Sequence, residues 1–192
     1  MKAQNGKGLI IHQMNPLLRR VLKNDHQRRK WEQLTQLAGS VTDGVIVEFG
    51  TYLGYGTIAL YDGATVPVYT VDDYRNRKGW AGEIYYPNDY LICKRNLINA
   101  DVHPICLQFD VRELEKYWDE VAIEYQPISL LFWDLGTPSR LCGDFEAWEQ
   151  HIRGKFVIHD TEDNRLGSDL LKPEGWTKKK EGVFWVLERL ST

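Results

Sequence analysis

The chain has 192 residues, 43% hydrophobic and 27% charged, with a formal net charge of -3, which is the composition of one globular soluble domain large enough to bury a core without disulfides or a structural metal. The negative balance argues against a main partner bound by neutralising phosphates, so no nucleic acid is expected. Cys93, Cys106 and Cys142 show no CxxC spacing and Lys2 is not followed by an apolar leader; no run reaches the ~18 apolar residues of a membrane span, and a cytoplasmic protein with no membrane attachment is expected.

The first dozen residues lack periodicity and read as an arm. From Asn15 to Ala38 the pattern is helical, with Leu17, Leu18, Val21 and Leu22 opening it and Trp31, Leu34, Leu37 and Ala38 closing it. The polar run KNDHQRRK between them is either a solvated helix face or a short break between two helices. This N-terminal segment, about 1–40, is also a candidate surface for a homodimer. GVIVEFG then reads as a strand buried on both faces, TIALYDG as a short helix and VPVYTVD as a second strand. Asn88 to Ala100 is helical and HPICLQFD is a third strand. Val111, Leu114, Tyr117, Trp118, Val121 and Ala122 mark a helix face, and PISLLFWD is a fourth strand. Phe145, Trp148 and Ile152 lie on another helix, and GKFVIHD is a fifth strand. The alternation predicts a parallel sheet with helices on both faces. GWTKKK and VFWVLERL, joined only by Glu181 and Gly182, predict a terminal antiparallel hairpin. The whole of 1–192 is expected to form one α/β domain.

The segment VIVEFGTYLGYGTIAL carries the most information. A buried strand ends at Glu48, and Gly50, Gly54 and Gly56 precede the next helix. Such a loop stands at the carboxyl end of a strand, where ligands bind in open α/β sheets. The spacing E-x-G-x-x-x-G-x-G-T is not the G-x-G-x-x-G of dinucleotide binders. A carboxylate before the first glycine suits a ligand with an ammonium group better than one with two phosphates.

EFGTYLGYGT resembles motif I of class I S-adenosylmethionine-dependent methyltransferases. It is most similar to the branch of macrolide and aminocoumarin sugar O-methyltransferases and cephalosporin hydroxylase-like proteins, over about Trp31 to the C-terminus. The resemblance implies a three-layer αβα Rossmann-like methyltransferase fold, a seven-stranded mostly parallel sheet ordered 3-2-1-4-5-7-6 and closed by the hairpin. It implies a cofactor site of Glu48, Gly50, Thr51, Gly54, Gly56 and Thr57 on the loop. Asp72, ending the second strand, would hold the ribose hydroxyls, with Asp73 facing solvent. Asp110 would accept from the adenine amino group, while D-x-x-E at Asp110 to Glu113 also reads as a helix capping box. Asp134 and His159, ending the fourth and fifth strands, are the catalytic candidates. Some relatives hold a divalent cation with carboxylates placed as Asp134 and Asp160 are, so Mg²⁺ is an implied cofactor, with Asp163 a further candidate ligand. The chain departs from the pattern at DLGTPSR, where Thr137 stands near a histidine of the relatives.

The stretch DYRNRKGWAGEIYYPND is long for a connection. Its aromatics Tyr74, Trp80, Tyr85 and Tyr86 either cover a ligand or pack on the domain. Trp118, Trp133, Trp148 and Trp185 sit at core-like positions. The expected function is S-adenosylmethionine-dependent methyl transfer, by preference to an oxygen of a small-molecule acceptor. The rivals are a cofactor-binding module without catalysis and, less favoured by the glycine spacing, a nicotinamide-dependent oxidoreductase.

Overall fold

The computed structural model describes residues 14–22, 24–74, 89–121, 127–135, 140–159 and 171–190. Of the two readings of the polar run, the break is the one observed: α1 spans Pro16–Val21 and α2 Asp25–Gly39. Each has its own asparagine cap. The Asn15 side chain accepts from Leu17 N at 3.0 Å, and Asn24 from Gln27 N at 2.8 Å, supplying the acceptors that first-turn amides need. Asn15 also donates to the Ala100 carbonyl at 3.1 Å, and its backbone N–H to the Asp62 carboxylate at 2.7 Å.

The remaining elements are β1 (Val45–Phe49), α3 (Tyr55–Gly63), β2 (Val68–Val71), α4 (Asp89–Ala100), β3 (Ile105–Leu107), α5 (Val111–Glu115), α6 (Trp118–Val121), β4 (Ile128–Trp133), α7 (Leu141–Trp148), β5 (Ile152–Ile158), β6 (Trp176–Glu181) and β7 (Phe184–Arg189). The strands form one seven-stranded sheet in the order β3-β2-β1-β4-β5-β7-β6, as expected. The pairs from β3 to β5 are parallel, and β7 runs antiparallel to both β5 and β6. The hairpin turn falls on Gly182 and Val183, one residue later than the sequence suggests.

Three elements differ from expectation. Ile152 is not helical: α7 stops at Trp148, a 3-10 turn covers Glu149–His151, and Ile152 opens β5 opposite Ile128. The helix expected from Val111 to Ala122 is two short ones. The third strand shrinks to Ile105–Leu107 because it lies at the sheet edge, where Ile105 is 40% exposed.

Each face of the sheet buries its own core, because successive strand residues point to opposite sides. Ile46, Leu130, Phe132, Val157 and Val186 pack with α1 to α4. Val47, Phe49, Leu131, Trp133, Phe156 and Leu187 pack with α5 to α7. On the second face Trp148 meets Phe49 and Trp118 edge-on at 4.8 and 5.3 Å between ring centres, and its indole N–H donates to the Val111 carbonyl at 3.0 Å. Trp118, Trp133 and Trp148 are fully buried, as the packing reading expects, whereas Trp185 is partly buried.

Candidate functional site

The parallel ladder runs one residue beyond the strands at their carboxyl ends. Gly50 N donates to Val71 O at 2.9 Å, Asp134 N to Phe49 O at 2.8 Å, His159 N to Trp133 O at 3.1 Å and Asp72 N to Leu107 O at 3.2 Å. In the strand order this sets Asp72, Gly50, Asp134 and His159 side by side along one sheet edge. With neighbouring strands ~4.8 Å apart, Asp72 and His159 are separated by roughly 14 Å. The row crosses β1 and β4, where chain direction across the sheet reverses. That switch point opens the crevice in which open α/β sheets bind ligands.

Gly50 has φ +94°, and a side chain there would run into the Asp134 carbonyl, so only glycine lets the loop cross β4 this closely. The loop then closes with a Gly54 N to Thr51 O bond of 2.7 Å, and α3 starts without a side-chain cap. Gly54 has φ +83°, and a Cβ on it would meet Cys93 Sγ at 3.1 Å and Leu97 Cδ2 at 3.2 Å. Its glycine is therefore required by the packing of the loop on α4.

Asp72 is fixed by the loop it faces. Its carboxylate accepts from Tyr52 N and Tyr74 N, each at 2.9 Å, and Tyr52 takes the left-handed φ of +46° that aims its amide there. Asp73 is partly buried, not fully solvated. Tyr74 packs on Tyr90 with ring centres 5.0 Å apart, so this member of the aromatic stretch lies on the body. Trp80, Tyr85 and Tyr86 lie outside the described residues.

Glu48, Thr51 and Thr57 lie beneath the loop, buried at 1%, 4% and 0% exposure. Thr57 Oγ1 donates to Glu48 Oε2, Thr70 Oγ1 donates to the same oxygen at 2.7 Å, and Thr51 pairs with Thr70. Burial pushes the Glu48 carboxyl up to about 8, against the opposing pull of the two hydroxyls. Glu48 is therefore close to a neutral acid inside the fold, and Gly56 is the residue whose missing Cβ leaves room for it. Asp110 caps α5 by accepting from Arg112 N at 3.0 Å, the capping half of its dual reading.

On the opposite side of Gly50, His159 Nδ1 and Asp134 Oδ1 are 2.7 Å apart. Against a carboxylate, this short contact assigns the Nδ1 proton to the ring, which donates it to Asp134. Burial raises the Asp134 carboxyl, but the His159 ring and, secondarily, Lys30 outweigh it and hold the group below its ordinary value of 3.8. Trp31, Phe132 and Phe184 surround the imidazole, with ring centres 6.5, 6.3 and 5.9 Å away. Among the described residues no group of three or more His, Cys, Asp or Glu is placed to hold a metal ion. One oxygen of Asp134, Oδ1, is paired with His159. Asp160, Asp163 and Thr137 lie outside the described residues.

Sequence reasoning missed two members of the site. Thr70 is the cross-strand partner of Glu48 in the β1–β2 register; polar residues at matching places in two apolar strands were the available signal. Lys30 brings its ammonium to 3.4 Å from His159 Nδ1 and 4.1 Å over the Trp31 ring. Nothing in its basic run marks it apart from its exposed neighbours.

No family model matches the chain, and no curated protein matches it. Among solved structures, the O-methyltransferase TomG of tomaymycin synthesis from Streptomyces achromogenes, in complex with SAM, is 15% identical with a TM-score of 0.60, over 85% of this chain and 80% of that one. A TDP-rhamnose 3'-O-methyltransferase of calicheamicin biosynthesis is 14% identical with a TM-score of 0.60, over 86% and 81%. An O-methyltransferase from Bacillus cereus in complex with SAH is 16% identical with a TM-score of 0.59, over 88% and 82%. With its strand order and closing hairpin, the chain has the class I methyltransferase fold.

Proposed function

We propose that the protein transfers a methyl group from S-adenosylmethionine to a hydroxyl oxygen of a small-molecule acceptor. The observation that carries this reading is the division of one sheet edge by Gly50: a backbone-anchored carboxylate, Asp72, on one side and a hydrogen-bonded His159–Asp134 pair on the other. Two acceptor oxygens at Asp72 match the two vicinal hydroxyls of a ribose. The loop from Gly50 to Gly56 offers main chain to the rest of the cofactor. Glu48, Thr51 and Thr57 act from below by fixing that main chain, and Asp110 takes the adenine side.

S-adenosylmethionine supplies an electrophilic methyl carbon whose bond to sulfur breaks with the electron pair passing to sulfur. The chain's own work is positioning and proton removal. Asp134 holds the His159 ring with its proton on Nδ1, which makes Nε2 the basic nitrogen. As the acceptor oxygen bonds to the methyl carbon, Nε2 takes the hydroxyl proton, and the Asp134 carboxylate stabilises the resulting imidazolium. No step needs a metal ion at Asp134. Apolar rings around His159 exclude water from the proton transfer.

Structural neighbours that are an O-methyltransferase of tomaymycin synthesis and a TDP-rhamnose 3'-O-methyltransferase of calicheamicin biosynthesis support a small-molecule acceptor. Among the described residues no helix is long and apolar enough to cross a membrane. The three cysteines are free, the state of thiols in a reducing compartment such as the cytoplasm. The test is product formation: incubation with S-adenosylmethionine and a panel of hydroxylated metabolites should give S-adenosylhomocysteine that depends on both acceptor and His159. Tight cofactor binding with no turnover on any acceptor would favour the non-catalytic module.

A further inference from the structure

Glu48 is a buried carboxyl surrounded by hydroxyls and acids. Its cross-strand neighbours are Thr70 on β2 and Phe132 on β4. Oε2 accepts from Thr57 and Thr70, and Oε1 fills the space that a Cβ on Gly56 would take. Among the described residues, the titratable groups that act on it are Asp134 after β4, Asp72 after β2, Cys93 on α4 and Cys106 on β3. All four are acids. The ammonium of Lys30, on α2, acts on Asp134. Hydroxyl donors alone do not offset the desolvation of a carboxylate. The group, raised chiefly by burial, therefore stays protonated up to about pH 8.

Asp72 and Asp134 flank Gly50 at the sheet edge, and Glu48 lies near enough to both for each to raise its carboxyl further. A charge placed in the crevice between them therefore acts on Glu48 as well, through an interior that salt screens little. A cation there favours the ionised carboxyl. Its binding sends the Glu48 proton to solvent, and the carboxylate left behind then attracts the cation. A neutral ligand of the same shape has no such effect. S-adenosylmethionine and its product differ in this respect: the methylated sulfur is a sulfonium, and loss of the methyl leaves a neutral thioether. Glu48 is only 1% exposed, so it distinguishes the two through charge and not through contact. Affinity for the cation rises with pH until the carboxyl of the empty site ionises unaided, and then levels off.

We propose that Glu48 makes the site select the cationic cofactor over its neutral product, giving up its proton to solvent when the sulfonium enters the crevice above it. This rests on the proposed S-adenosylmethionine-binding reading. The test is calorimetric titration of the full chain with S-adenosylmethionine and with S-adenosylhomocysteine across pH 6 to 9, for wild type, Glu48→Gln and Thr70→Val, alongside melting curves. Across this range the wild-type preference for S-adenosylmethionine should rise by ~5-fold or more relative to that of Glu48→Gln, whose amide has no proton to release. Titration of the ligands' own amino groups is common to the proteins and cancels in the comparison. Thr70→Val keeps Glu48 but removes a hydroxyl that favours its ionised form, so its rise should come at higher pH than in wild type. A preference that changes alike in wild type and Glu48→Gln overturns the proposal and leaves the cofactor reading in place. A rise in Thr70→Val at the same pH as in wild type does the same. A wild type that binds neither ligand overturns the cofactor reading itself.

Discussion

Replacing Glu48 with glutamine tests whether a neutral acid lies beneath the glycine loop. The carboxyl moves from an ordinary 4.5 to about 8 on folding, chiefly through burial. Between these values the folded chain holds a proton that the unfolded chain has released, so stability falls as pH rises across this window and levels off above it. At ~1.4 kcal/mol per pH unit, the loss amounts to roughly 3 kcal/mol by pH 7. Glutamine carries no such penalty, and its amide oxygen can accept from Thr57 and Thr70 as the carboxyl does. Urea denaturation should therefore find Glu48→Gln close to wild type at pH 5 and more stable by roughly 3 kcal/mol at pH 7. For a chain of this size, that corresponds to about 6–12 °C in melting temperature. Parallel pH profiles for the two proteins, or a variant weaker at every pH, would refute the reasoning.

Asp134→Ala should bind S-adenosylmethionine within about threefold of wild type, under ~1 kcal/mol, while single-turnover transfer falls by ~10²–10⁴; a near-normal rate would remove it from the chemistry. Gly54→Ala should cost ~1–3 kcal/mol in denaturant unfolding, through its left-handed backbone and the contacts with Cys93 and Leu97. It should weaken the cofactor in parallel, and loss of affinity with stability unchanged would mean that the side chain enters ligand space instead. Turnover should persist in EDTA because Asp134 serves His159, whereas loss in chelator with recovery on adding Mg²⁺ would make Asp134 a metal ligand.

Strands β1 to β5 were legible as short apolar runs bounded by turn residues and the hairpin from the two residues joining its arms, whereas the order of the strands came from the resemblance carried by EFGTYLGYGT. Ile152 misled because the spacing from Phe145 through Trp148 to Ile152 continues a helical stripe across the point where α7 ends and a strand begins. The positions of Gly50, Asp72, Asp134 and His159 could be read from strand ends alone. What could not be read depends on which residues face one another across strands or helices. Glu48 and Thr57 sit in a motif that suggests ligand contact, yet their side chains turn inward with Thr70 because β1 alternates faces. Lys30 is marked only by its tertiary neighbour, His159.

The loop after β1 and the carboxylate after β2 form the proposed S-adenosylmethionine site. Calorimetric titration of wild type and Asp72→Ala with S-adenosylmethionine, and of wild type with NAD, tests it most directly. One equivalent of S-adenosylmethionine should bind wild type, and NAD should not bind. Asp72→Ala should lose ~1–3 kcal/mol of binding, about 5- to 150-fold in Kd, through the missing hydroxyl hydrogen bonds. Equal affinity in the two proteins, or a wild type that takes NAD and not S-adenosylmethionine, would contradict it.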